Sequence, residues 1–258
     1  MPLFHEAVGG AAGSQPAVVF LNGIMMTTAS WVFQTRALSP HFRCVLHDFR
    51  GQLRSPMPGP FDMQQHVDDL VALLDALELE RPHVVGTSYG GEVGMMFAIQ
   101  HPERVRSLAA IACVSHVEPP LHNAVVRWRD AARDAPETLF DISAPYNFSP
   151  GVLTPSFMEQ GRERLRGYGP EFARNLADLC DAFLQLDITE RLWSIECPTL
   201  VIAGAKDILK PPRYSRLIAE RIPNATLQII PDAPHALALE NHAEVNAALV
   251  EFLRRPDR

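Results

Sequence analysis

The sequence predicts an α/β fold: a mostly parallel central sheet with helices on both faces and an all-helical lid inserted between two of its strands. Three observations point there. Short apolar runs alternate with helical patterns, the arrangement in which parallel strands are joined by crossover helices. The runs are rich in Val, Ile and Leu with little polar alternation, as strands buried on both faces require. One stretch, residues 117–186, interrupts the alternation with helical stripes alone.

The strand runs are Ala17–Leu21, Phe42–Asp48, His83–Thr87, Ser107–Cys113, Thr199–Ala203 and Thr226–Ile230. The clearest helix follows Asp62, which caps it with Gln65 three residues on completing a capping box. Met63, Val67, Leu70, Leu74 and Leu77 then form one apolar stripe. The last helix repeats the pattern, with Asn241 as cap, Glu244 three on, and Val245, Ala248, Leu249 and Phe252 facing inward. Within 117–186, Leu121, Val125, Trp128 and Ala132 make one stripe and Phe172, Leu176, Leu179, Phe183 and Leu186 another, punctuated by prolines. Residues 1–116 and 187–258 are thus expected to form the core domain and 117–186 a lid over the carboxyl edge of the sheet, where open α/β sheets bind ligands.

Composition narrows the function classes. The 258 residues carry 23 Lys plus Arg against 30 Asp plus Glu, a net charge of −7, which argues against a nucleic-acid partner. At 47% hydrophobic and 21% charged, the chain is neither disordered nor a disulfide-stapled mini-protein. Cys44, Cys113, Cys180 and Cys197 show no CxxC spacing and lie in or beside apolar segments, so reduced, buried thiols are expected. There is no 18-residue apolar stretch, and the start MPLFHEAVGG lacks a basic n-region and an h-region. A cytoplasmic protein without a membrane partner is the expectation.

The segment HVVGTSYGGEVGMMFAIQHP carries the chemistry. Gly86-Thr87-Ser88-Tyr89-Gly90 is a GxSxG between an apolar strand and a helix stopped by Pro102, the context a nucleophile elbow needs. Ser88 has to sit in a tight, strained turn, so Gly86 and Gly90 must lack side chains where backbones approach. A serine hydroxyl needs a base, and the base an orienting acid. Asp207, just past one strand in AGAKDILKPP, and His235, just past the next in PDAPHALALE, supply both on the same sheet edge as Ser88. Glu118 is an alternative acid. The other nine histidines show no pair at metal-ligand spacing, so no metal is expected, and His47 is read as structural.

Together FLNG, HDFRGQLRSP, VVGTSYGG, AGAKDILKPP and DAPHALALE resemble the α/β-hydrolase family over nearly the whole length, in its serine branch with a helical lid. The resemblance implies Ser88 as nucleophile, His235 as general base and then acid, Asp207 as the orienting carboxylate, and an oxyanion hole from the backbone N–H groups of Tyr89 and Ile24. It implies no cofactor. Four departures stand out. Asn22 replaces the family's usual histidine, and Leu53 takes the second glycine position of its DxRGxGxS turn. Only one short strand, at about Leu3–Val8, fits before Ala17 in place of an opening hairpin. FLNGIMMTTASW resembles a variant found in a bacterial branch that transfers 3-hydroxyacyl groups from carrier protein.

The expected activity is a serine-dependent hydrolase that cleaves an ester, thioester or lactone with a small to medium apolar acyl group. Acyl transfer from a carrier thioester and non-catalytic ligand binding are the alternatives. Met25 and Met26 line an acyl pocket or pack the core, and Trp128 and Phe183 form lid core or pocket wall. Arg162, Arg164 and Arg166 either meet an acidic carrier protein or form a solvated face with Glu159 and Glu163; the solvated face is favoured.

Overall fold

The computed structural model describes residues 3–10, 15–56 and 62–255. Seven strands form one sheet: β1 (His5–Val8), β2 (Ala17–Leu21), β3 (Arg43–His47), β4 (His83–Thr87), β5 (Ser107–Ile111), β6 (Thr199–Gly204) and β7 (Ala225–Ile230). Their order is β1-β3-β2-β4-β5-β6-β7. All neighbours run parallel except β1, which pairs antiparallel with β3, His5 opposite His47. The opening strand expected at about Leu3–Val8 is present over His5–Val8 and is exposed along its length.

Alternate residues of the central strands bury on opposite faces, which explains their apolar character without polar alternation. Val19, Val45, Val84, Leu108 and Val201 share a core with α2 (Met63–Ala76), α3 (Tyr89–Gln100) and α7 (Pro212–Arg221). Val18, Cys44, Val85, Ala109 and Ile202 share another with α1 (Val32–Leu38), α8 (Leu237–Glu240) and α9 (His242–Leu253). The capping box predicted for α2 forms, Asp62 accepting the Gln65 N–H and Gln65 accepting the Asp62 N–H. The cap predicted for α9 does not. The short α8 leads into Asn241 with φ −108° and ψ 37°, not the extended backbone a capping side chain needs, and its side chain makes no cap bond.

Between β5 and β6 the chain holds no strand. It forms α4 (Pro119–Asp134), α5 (Leu139–Asn147) and α6 (Pro155–Phe183), the last broken at Gly169 (φ 81°) ahead of Pro170. A single antiparallel bridge, His116 to Asp187, closes this segment at its base. Both predicted stripes are buried, with α4 packed on α6. All four cysteines are free and buried, and burial lifts the thiols of Cys44 and Cys180 to about 12. Among the described residues, no helix is long and apolar enough to cross a membrane.

Candidate active site

The site begins at the turn from β4 into α3. Ser88 has φ 50° and ψ −124°, a strained conformation for a residue with a Cβ. The surroundings hold it there: its N–H donates to the Ile111 carbonyl (2.7 Å), and its own carbonyl accepts from Gly91 and Glu92 (2.8 and 3.2 Å). A Cβ on Gly90 would stand 2.1 Å from the Leu21 carbonyl oxygen, and one on Gly86 would stand 2.4 Å from that of Gly90. Both glycines are sterically required, as the motif predicts.

His235 and Asp207 arrive on the loops after β7 and β6. Ser88 Oγ lies 3.0 Å from His235 Nε2, and His235 Nδ1 lies 2.7 Å from Asp207 Oδ2. With Nδ1 protonated, the imidazole donates to Asp207 and accepts the serine proton. The other oxygen of Asp207 accepts the backbone N–H groups of Leu209 and Lys210 (2.9 and 2.8 Å), so the carboxylate is fixed by its own loop. Glu118 is committed elsewhere, accepting from Arg213 (2.8 Å) and the Tyr214 hydroxyl (2.9 Å). Those bonds, led by Arg213, hold its carboxyl below the usual range.

A second group also reaches the serine, one the sequence reading overlooked. Lys210 Nζ donates to Ser88 Oγ at 3.1 Å and to Glu92 Oε1 at 2.8 Å, and it lies 4.7 Å from the centroid of the Phe183 ring. The Lys210 and Glu92 side chains are only 3% and 0% exposed, so the pair is desolvated. Glu92 Oε1 also accepts the Val114 N–H (2.9 Å), while burial still holds its carboxyl above the ordinary range despite Lys210. A signal was present: Glu92 is the one charge in α3.

Ser88 opens on a cavity of about 250 Å³ including its mouth, lined by Ile24, Tyr89, Leu121, Val125, Trp128, Phe183, Leu209 and Lys210. Trp128 and Phe183 line the wall while also packing in the buried core, and Ile24 and Tyr89 line it beside Ser88. Met25 and Met26 are not in that wall. Met25 packs against the core, and Met26 turns its sulfur to the Gly23 N–H (3.3 Å) and packs on the opposite face of the sheet. Asn22 props the Ile24 loop from below: Nδ2 donates to Asp48 (3.2 Å) and Gln52 (3.1 Å), and Oδ1 accepts from Trp31 (2.8 Å). Gln52 in turn donates to the carbonyls of Gly23 (2.9 Å) and Ile24 (3.3 Å). The neighbouring Leu53, where a glycine was the family's pattern, points outward and is 39% exposed.

Away from the cavity, Arg162 bonds Asp141 and Glu159, and Arg166 bonds Glu159, so these cations are matched by acids on the surface. Arg164 is exposed. His47 is buried and stacks edge-on to Phe49. Among the described residues, no three His, Cys, Asp or Glu side chains converge as a metal site needs.

A family profile described as alpha/beta hydrolase fold matches residues 16–242. A Caulobacter sp. (strain K31) protein provisionally named carbamate hydrolase RutD is 35% identical, the match covering 97% of this chain and 95% of that one. The enol-lactonase of Burkholderia xenovorans LB400 superposes with a TM-score of 0.89 at 26% identity, over 98% of this chain and 96% of that one. MGS-M2, an alpha/beta hydrolase enzyme from a Medee basin deep-sea metagenome library, superposes at 0.92 with 26% identity, over 99% and 95%.

Proposed function

The chain belongs to the alpha/beta hydrolase fold family and is a hydrolase, and from that premise we propose that it cleaves a carboxylic ester, thioester or lactone with a small to medium, mostly apolar acyl group through an acyl-enzyme on Ser88. The observation that carries this reading is the unbroken line Ser88–His235–Asp207 opening on a largely apolar cavity.

In the first half-reaction Ser88 Oγ attacks the acyl carbon while His235 Nε2 takes its proton. The carbonyl electron pair moves onto oxygen, which the N–H groups of Ile24 and Tyr89 receive. The carbonyl re-forms, and the leaving group departs with the proton from His235. In the second half, a water gives its proton to His235 and attacks the acyl carbon. The C–Oγ bond then breaks, the proton returns to Oγ, and the acid leaves. Asp207 keeps Nδ1 protonated and the ring aligned, and it offsets the charge of the imidazolium. No cofactor enters.

In this reading the helices within 117–186 are a lid on the core formed by 1–116 and 187–258, since Leu121, Val125, Trp128 and Phe183 close the cavity from that side. The bulk of those side chains beside Ser88 favours a small acyl group. The name of the Caulobacter relative adds carbamates as substrates of the same carbonyl chemistry. Water is favoured over a carrier-bound acceptor because Arg162 and Arg166 are already engaged by acids.

The test is hydrolysis of p-nitrophenyl esters of graded chain length, an aryl carbamate and a small lactone by the wild type and Ser88→Ala, with products identified by mass spectrometry. Free acid from the short esters, at a rate unaltered by added alcohol or carrier thiol and lost in Ser88→Ala, is the expected result. A dominant transfer product at modest acceptor concentration overturns the hydrolytic reading.

A further inference from the structure

Resting on Ser88 as nucleophile, we propose that Lys210 is a fourth catalytic group, whose ammonium donates to Ser88 Oγ and stabilises the negative charge that this oxygen carries as it attacks and as it leaves. The placement is specific. Lys210 has three N–H donors, and Glu92 Oε1 (2.8 Å) and Ser88 Oγ (3.1 Å) lie within reach of two of them, with the Phe183 ring beside the ammonium at 4.7 Å. Phe183 and Lys210 are also neighbours in the cavity wall, so the cation is part of the reaction chamber and not of the core behind it.

Ser88 Oγ then has one hydrogen-bond partner of each kind. It donates to His235 Nε2 at 3.0 Å and accepts from Lys210 at 3.1 Å. An incoming ammonium bond occupies one lone-pair direction, turning the hydroxyl proton toward the base. As His235 removes that proton, Oγ becomes alkoxide-like, and a charge-assisted bond in a dry site strengthens at that moment. The electron pair then forms the Oγ–C bond. In deacylation the same pair returns to Oγ when the C–Oγ bond breaks, and His235 supplies the proton. Lys210 keeps its own protons throughout, so it is neither base nor nucleophile. Glu92 is a positioning residue: anchored by the Val114 N–H, it holds Nζ at the distance of the serine instead of letting it fold out to solvent.

The experiment measures the rate constant for fluorophosphonate labelling of Ser88, which reports attack by Oγ alone, beside kcat/KM for p-nitrophenyl butyrate. It compares wild type, Lys210→Met, and Lys210→Met combined with Glu92→Gln. The double variant removes the cation without leaving a lone buried carboxylate, so it addresses the case in which the single variant does not fold. Both rates are expected to fall about 10²-fold in the folded variants, the size of losing one donor to developing charge. A change within about threefold, or an increase, overturns the role of Lys210 while wild-type labelling at Ser88 leaves the nucleophile intact. If the wild type itself is not labelled, the nucleophile assignment falls first. A crystal structure of the unmodified wild type needs no variant: Nζ within hydrogen-bond distance of Oγ is expected, and Nζ withdrawn to Glu92 alone overturns the proposal.

Discussion

Ser88 Oγ stands between two buried pairs, His235–Asp207 and Lys210–Glu92, and the two are held in different ways. Asp207 is fixed by backbone N–H groups two and three residues along its own loop, so its half of the pair is local. Glu92 and Lys210 sit 118 residues apart in the chain and meet only because α3 and the loop after β6 converge at the same edge of the sheet. In the proposed reaction the imidazole of the first pair gains and loses a proton in every cycle. The second is an ion pair in a desolvated place, where burial opposes the charged form of Glu92. Groups that shuttle protons can be positioned by a short motif, whereas a fixed buried charge needs a partner delivered from elsewhere in the fold.

Variants that strip one arm at a time break this comparison most directly. Ser88→Ala removes the atom both arms share and is expected to lower kcat by roughly 10⁶-fold, with stability within about 1 kcal/mol because the hydroxyl serves chemistry and not packing. Steady-state rates and chemical melts check it. Asp207→Asn attacks the first arm alone and is expected to cost about 10⁴-fold in kcat through the wrong tautomer. Glu118→Gln, whose carboxylate is held by Arg213 and Tyr214, leaves the rate near that of the wild type.

Stability sharpens the contrast. Lys210→Met leaves Glu92 buried without its cation and is expected to destabilise by about 3 kcal/mol in urea melts at pH 7, most of it recovered on adding Glu92→Gln. Asp207→Asn should cost far less stability than it costs rate, since an asparagine oxygen still accepts the Leu209 and Lys210 N–H groups.

Acid separates the site from its supports. Burial lowers the pKa of His47 to about 4 and that of His66 to about 3, against 6.5 for the free side chain. The fold therefore favours their neutral forms. Above pH 6.5 they contribute no pH dependence; as pH falls below 6.5 the unfolded chain binds protons that the folded chain refuses, and stability declines until the folded pKa is reached. The loss for His47 is about 3 kcal/mol between pH 6.5 and 4. Glu92 pulls the other way, since a carboxyl raised in the fold takes up its proton before its unfolded counterpart. Melting curves from pH 7 to 4 should show the decline in the wild type and a shallower one in His47→Leu.

The triad was legible because each member is tied to a local rule. Ser88 needs two glycines where backbones touch, and Asp207 and His235 each follow directly on a strand, so chain order alone puts them on one edge. Met26 could not be assigned in the same way. Its neighbour Ile24 faces the cavity while Met26 packs behind the sheet, a matter of how the Gly23 loop turns. The cap read at Asn241 had the right residue at the right place, but α8 feeds the chain in at an angle that a capping pattern does not encode.

By itself, the sequence determined the parallel sheet, the strand-free stretch between β5 and β6, and the Ser88, Asp207 and His235 constellation, because periodicity, turn sterics and backbone hydrogen bonding act over a few residues. The tertiary structure alone decided which helices wall the cavity, how Asn22 and Gln52 prop the Ile24 loop, and that Lys210 stands beside the nucleophile. Those outcomes depend on desolvation and on pairing between distant segments. A lysine following Asp-Ile-Leu carries no mark of burial until Glu92, Phe183 and Ser88 have been folded around it.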